Sequence, residues 1–165
     1  MPSPPSESAA DTLGFPERTQ AVHRAAARLC VLLGWAPLHE VALPNGRRAD
    51  ILALRPDGGF ACIEVKSGTR DFLADQKWPD YRECCDALYF AVDADFPQEL
   101  LPPDAGLIVA ADFTAELVRE APAHPLSASR RRALLLRFAL LAASRLAMLE
   151  DPGAAAALRS ALRAE

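Results

Sequence analysis

From Glu17 to Leu33 the apolar positions recur at helical spacing: Val22, Ala25, Ala26, Leu29, Leu32 and Leu33, with Gly34 closing the run. The period then changes. Pro37 to Leu43 alternates, with Val41 and Leu43 on one face, which predicts a strand. Pro44-Asn45-Gly46 follows. Asn-Gly between two strand-like runs predicts a tight hairpin whose two turn residues both take positive φ. Arg48 to Leu54 reads as the second strand, Pro56-Asp57-Gly58-Gly59 as a second turn, and Phe60 to Val65 as the third strand, an antiparallel meander that Gly68 ends. Residues 70–85 predict a helix striped by Phe72, Leu73, Trp78, Tyr81 and Cys84 or Cys85, with a kink or a break into two short helices at Pro79. Ala87–Val92 and Gly106–Ala110 predict two buried strands, with Glu116–Arg119 beside the second. A helix from about Ser129 to Glu150 follows, then a break at Asp151-Pro152-Gly153 and a short Ala-rich helix. This order predicts an α/β (α+β) fold: a sheet layered with helices against its faces.

Composition sets the frame. The segment 1–14, rich in Pro, Ser and Ala, is expected to be a disordered tail, and residues 15–165 a single domain with its core in 17–120 and C-terminal helices in 127–165. The net charge of −4 argues against a surface that coats nucleic acid throughout and leaves room for a local patch. Cys30, Cys62, Cys84 and Cys85 form no CxxC pair, so they read as reduced thiols rather than a zinc site. The first residues lack the basic and apolar regions of a secretory signal, and the expected location is cytoplasmic. Ala133–Leu149, the most apolar stretch, is interrupted by Arg137 and Arg145 and falls short of the about 20 apolar residues a membrane span needs. A helix apolar on most of its surface must still be covered, by the sheet or by a second copy in a homodimer.

Chemistry concentrates at the end of the third strand. Alternate residues of a strand share a face, so Glu64 and Lys66 point one way while Ile63 and Val65 point into the core. The hairpin returns the chain so that Asp50, near the start of the second strand, comes beside Glu64. Two carboxylates and an ammonium would then converge at one edge of the sheet. Phosphodiester hydrolysis uses such a set: hard divalent ions take one or two carboxylates with water and phosphate, and a lysine adds a point charge for the crowded phosphate. The competing reading is a surface ion pair of Glu64 and Lys66 at a strand end. Lys66 and Lys77 are the two lysines among eighteen basic residues, and the compact ammonium is not interchangeable with a guanidinium in a tight site. Arg47 and Arg48, next to Asp50, are candidates for phosphate contacts or solvated turn residues. Asp71 and Asp75, four residues apart, share a helix face. Glu40 on the first strand is a further candidate ligand or supporting carboxylate, or an exposed one. Arg130, Arg131 and Arg132 open the long helix, where the dipole disfavours them and an acidic partner would help. None of His23, His39 and His124 is assigned to metal.

Asp50, then Glu64-Val65-Lys66, on these elements in this order, resembles the PD-(D/E)XK nuclease superfamily. Within it, GRRADILAL, IEVKSG, the stretch from Asp71-Phe72 to Lys77-Trp78-Pro79-Asp80-Tyr81, and YFAV resemble the MmcB-like bacterial DNA repair proteins, over roughly residues 17–95. The resemblance implies a restriction-endonuclease-like core and a role in DNA repair. It implies DNA as substrate and Mg²⁺ or Mn²⁺ held by Asp50 and Glu64, with Lys66 as the third catalytic residue. In related nucleases a polar residue of the following helix helps to position substrate or water, which makes Gln76 or Lys77 a candidate, with a solvated helix face as the other reading of each. A small single domain with no separate DNA-binding module is expected to work with another DNA repair protein. Two departures stand out: Ala49 replaces the proline of the motif, and the first helix has no mid-helix carboxylate. A non-catalytic module binding DNA or a repair protein, and an RNA-processing nuclease, remain as alternatives on the same residues.

Overall fold

The structure is a computed structural model that describes residues 15–75 and 77–161. The segment 1–14, expected as a disordered tail, and Gln76 lie outside the described residues. The chain divides into two compact units, one ending at Leu126 and the other beginning at Ser127.

In the first unit, α1 (Phe15–Leu32) leads into six strands: β1 (Ala36–Ala42), β2 (Arg48–Leu54), β3 (Phe60–Lys66), β4 (Ala87–Asp93), β5 (Gly106–Ala111) and β6 (Thr114–Arg119). They form one mixed sheet in sequential order. β1, β2 and β3 are antiparallel, β3, β4 and β5 are parallel, and β6 returns antiparallel to β5. A parallel step from β3 to β4 requires a crossover. It is supplied by α2 (Thr69–Ala74) and a 3-10 helix over Trp78–Cys84. The break falls between Ala74 and Trp78, and Pro79 sits in the first turn of the 3-10 helix, where its missing N–H costs nothing.

The first hairpin differs from the two-residue turn expected at Asn45-Gly46. Gly46 has φ 81°, but Asn45 is not left-handed. Leu43 N–H donates to Arg47 C=O at 2.8 Å and Gly46 N–H to Leu43 C=O at 3.1 Å, a three-residue loop. Pro44 fixes its own φ near the value of a type I turn, which leaves Gly46 alone to close the loop left-handed. The second hairpin repeats the solution with Gly58 at φ 82° and the bonds Arg55 N–H to Gly59 C=O and Gly58 N–H to Arg55 C=O.

Core residues line both faces of the sheet. On one, Val22, Ala25, Ala26, Leu29 and Cys30 of α1 pack with Ile51, Ile63, Val65, Tyr89 and Ile108. On the other, Phe72, Phe90, Val92, Phe96 and Leu107 form a second cluster, against which Trp78 packs its ring edge-on to Phe90. The apolar roles expected for Trp78 and Tyr81 hold: Tyr81 is buried and Trp78 half-buried. All four cysteines are buried free thiols. Gly106 lies opposite Tyr89, whose ring occupies the space any Cβ there would need, and the Tyr89 hydroxyl donates to Glu120 Oε2 at 2.9 Å.

The second unit consists of α3 (Ala128–Glu150) and α4 (Pro152–Ala161). Ser127 caps α3 through Oγ, which accepts from Arg130 N–H, and Asp151 Oδ1 accepts from Gly153 N–H at 3.0 Å at the start of α4. Among the described residues no helix is long and apolar enough to cross a membrane.

Asp86 is the buried carboxylate that fastens the end of the first unit. It is 3% exposed. Its Oδ2 accepts from Phe60 N–H and its Oδ1 from Leu126 N–H, each at 2.8 Å, while its carbonyl accepts from His124 N–H at 2.9 Å. Replacing it with alanine orphans two buried donors, each costing about 1–3 kcal/mol. Asp86→Ala is therefore expected to lower unfolding stability by about 2–5 kcal/mol in urea denaturation. A loss below about 0.5 kcal/mol would show that the brace carries no load.

Candidate active site

The cleft is built where the second strand parts from the third. The β2–β3 ladder runs from Leu54↔Phe60 to Ile51↔Ile63 and stops, whereas the β3–β4 ladder continues to Lys66↔Val92. On its other side β2 stays in register with β1 from His39↔Ile51 on to Val41↔Ala49 and Ala42↔Arg48. Glu40 takes φ 50° there, a left-handed conformation uncommon for a residue with a side chain. Asp50 thus lies just beyond the last β2–β3 pair.

Side chains satisfy the backbone instead. Asp50 N–H donates to Glu64 Oε1 at 3.4 Å. The Asp50 carbonyl accepts from His23 Nε2 of α1 at 3.1 Å, which requires the proton on that nitrogen. Asp50 Oδ2 accepts from Val65 N–H at 2.8 Å. Each carboxylate therefore bonds the backbone of the other's strand, and the pair is fixed across the opening. His23 also packs against the His39 ring, 4.7 Å between centroids.

Lys66 is held as firmly. Its Nζ donates to Asp75 Oδ2 at 2.7 Å and lies 3.9 Å from Asp71 Oδ2. Asp75 Oδ1 accepts from Lys77 N–H at 2.9 Å, which fixes the carboxylate in turn. Asp71 and Asp75, grouped on one face by their spacing, are thus partners of the lysine. Around the three residues is a cleft of about 460 Å³, lined by Thr19, Gln20 and His23 of α1, Glu40 of β1, the ends of β2 and β3, and Asp71, Asp75 and Tyr81. The Tyr81 hydroxyl donates to the Arg48 carbonyl at 3.2 Å, tying the crossover to β2.

The electrostatics follow from burial and crowding. Burial, then the charge of Asp50, pushes the Glu64 carboxyl up to about 8. Burial raises Asp50 as well, with Glu40 adding to it and the Val65 N–H opposing. For Lys66 burial favours the neutral amine, but the Asp75 hydrogen bond and the surrounding carboxylates outweigh it and raise the value, so the side chain stays an ammonium. Burial also opposes the charge on Asp75, yet the Lys66 and Lys77 contacts prevail and lower it. Glu64, 3% exposed, has two weak contacts: the 3.4 Å bond from Asp50 N–H and the Cys62 thiol at 3.9 Å. A buried carboxylate so thinly supplied with donors suits a cation. Among the described residues no three His, Cys, Asp or Glu side chains are gathered closely enough to hold a metal ion unaided. An ion at Asp50 and Glu64 would complete its shell with water or substrate oxygen, as Mg²⁺ usually does.

The other candidates are placed differently. Arg48 is exposed and pairs with Glu40, Nε to Oε2 2.7 Å, at the cleft rim. Arg47 donates through Nε and Nη2 to Asp80 Oδ2. Lys77 is exposed and does not line the cleft. Gln76 lies outside the described residues. Sequence reasoning missed Asp75 and the role of His23. Thr19 and His23, four apart and so on one face of α1, were the available signal for the latter.

A family model described as DNA repair protein MmcB-like matches residues 6–153. No curated protein matches the chain. Among solved structures, the SPO1766 protein of unknown function from Silicibacter pomeroyi is similar. It shares 41% sequence identity, with 86% of this chain and 94% of that chain covered, at a TM-score of 0.77.

The raised Glu64 value has a sign that can be tested. Between its ordinary 4.5 and about 8 the folded chain holds a proton that the unfolded chain has lost. Stability must then fall as pH rises through that window. Compared with wild type, Glu64→Gln, neutral throughout, is expected to show a flatter decline of metal-free melting temperature from about pH 5 to about pH 8. Parallel profiles would mean that Glu64 is ionised in the folded chain.

Proposed function

Because the chain belongs to the MmcB-like DNA repair protein family, we propose that it is a metal-dependent nuclease of the PD-(D/E)XK type that hydrolyses phosphodiester bonds of DNA at Asp50, Glu64 and Lys66. The observation that carries the reading is the convergence of two cross-bonded carboxylates, buried Glu64 and half-buried Asp50, and a buried ammonium in one cleft. A surface ion pair would not bury both Glu64 at 3% and Lys66 at 7% exposure. Glu64 and Lys66 are also not each other's hydrogen-bond partner: the lysine is held from the far side by Asp75.

Asp50 and Glu64 are the residues that would hold Mg²⁺ or Mn²⁺, and their oxygen donors match hard cations. When bound, such an ion neutralises the carboxylates, polarises the phosphate and lowers the pKa of attacking water. The remaining steps belong to the chain. Lys66, kept protonated by Asp75, offers a fixed positive charge to the phosphoryl oxygens as a fifth oxygen bonds to phosphorus. That charge stabilises the crowded phosphate while the bond to the leaving oxygen breaks. Its raised value makes it an electrostatic group rather than the base that deprotonates water. Arg48, paired with the cleft-lining Glu40, would meet an adjacent phosphate by exchanging Glu40 for it.

One observation favours a binding module without hydrolysis: the Lys66 ammonium is already engaged by Asp75. The two readings separate in one assay. With Mn²⁺, wild type is expected to cut labelled DNA. Lys66→Ala should lower the rate by about 10²-fold or more, and Asp50→Ala should abolish cutting while the circular dichroism spectrum is unchanged. DNA binding without cleavage of single-stranded, duplex, branched or abasic substrates would favour the binding module.

A further inference from the structure

The reactive groups lie at the bottom of the cleft. Glu64 and Lys66 are almost wholly covered, and the space that reaches them is about 460 Å³. That is the size of a small-molecule pocket, about 300–1,000 Å³. Thr19 and His23 line it from α1, and Tyr81 and Asp75 line it from the crossover after β3. A duplex is wider than its own major groove, about 12 Å across. It cannot descend whole into such a space, whereas one sugar-phosphate backbone can.

Charge gives a second, independent constraint. Glu40, Asp50, Glu64, Asp71 and Asp75 face the cleft against the single ammonium of Lys66. Elsewhere in the first unit most arginines already have partners on the protein: Arg18, Arg47, Arg48, Arg55 and Arg82 pair with carboxylates, and Arg28 and Arg119 donate to backbone carbonyls. Among the described residues of this unit, Arg24, Arg70 and Lys77 are the basic side chains with neither an ion pair nor a side-chain hydrogen bond. They belong to α1, α2 and the approach to the 3-10 helix, and all three are exposed. Proteins that track a duplex make about 6–10 phosphate contacts. This unit offers a few.

From the cleft and this charge distribution we propose that the substrate is an unpaired DNA strand, admitted to Glu64 and Lys66 as a single backbone, and that base-paired DNA is excluded. The proposal rests on the nuclease reading for its chemistry but makes a separate statement about which strand enters. Unpaired bases splayed from the backbone can lie along the polar lining of α1, where Thr19 and Gln20 supply hydrogen-bonding groups that do not demand one base.

The test uses the full chain carrying Lys66→Ala, so that binding is measured without turnover, in Mn²⁺. Fluorescence anisotropy compares an oligothymidine of about 15 nucleotides with a blunt duplex of the same length. The unpaired strand is expected to bind at least about tenfold tighter, with log K falling against log salt at a slope of about −2, the value for some three contacts. Wild type is then given a splayed duplex, in which cuts should fall in the unpaired arms. Equal or tighter duplex binding, a slope steeper than about −6, cuts within the paired stem, or no binding of either DNA would each overturn the proposal. Preferential binding of the unpaired strand with no cutting of any substrate would leave this inference standing and remove the nuclease reading instead.

Discussion

At Asp50 the second strand is tied by side chains where its pairing with the third has ended. The β2–β3 ladder stops at Ile51, and the Asp50 backbone is bonded by Glu64 through its N–H and by His23 at its carbonyl. A strand interior normally satisfies its N–H and C=O groups from its neighbours. Here that duty passes to a carboxylate and an imidazole, and the Asp50 carboxylate in return takes Val65 N–H. The cleft lies where β2 and β3 are no longer paired, and the same bonds that close the backbone account fix both carboxylates there.

The rest of the first unit serves that opening. β3 is buried along its whole length between β2 and β4, so Glu64 and Lys66 project from a rigid central strand. α1 packs its alanines closely on the sheet and carries His23 to the Asp50 carbonyl. The crossover returns over the other face, where Asp75 grips Lys66 and Tyr81 ties back to Arg48. Burial and mutual repulsion leave the carboxylates short of positive charge, while the lysine is saturated with negative charge. That asymmetry separates the roles: one pair is suited to receive a cation, and one group is a permanent cation.

Much of this was legible in the sequence, and the exceptions have physical reasons. Period-two alternation and turn residues placed β1 to β3, and the alternation of Glu64 and Lys66 put both on one face. The E-x-K segment and Asp50 came together because hairpin connectivity leaves little choice of register. Spacing put Asp75 on a helix face with Asp71, but α2 stops at Ala74, and an aspartate just past a helix end can turn where a helical one cannot. His23 was given no role because its partner is a backbone carbonyl beyond the end of the β2–β3 ladder, and no spacing rule reports that. The first hairpin took a three-residue form because Pro44 pre-empted the turn that Asn-Gly alone suggests.

In the proposed reaction Asp50 and Glu64 share a divalent cation. Anomalous diffraction from crystals soaked in Mn²⁺ tests it most directly. The account predicts a peak bonded to a carboxylate oxygen of each residue at about 2.0–2.2 Å, with water completing the shell and Lys66 still on Asp75. A saturating soak that yields no peak there, or a peak held by other residues, would contradict it.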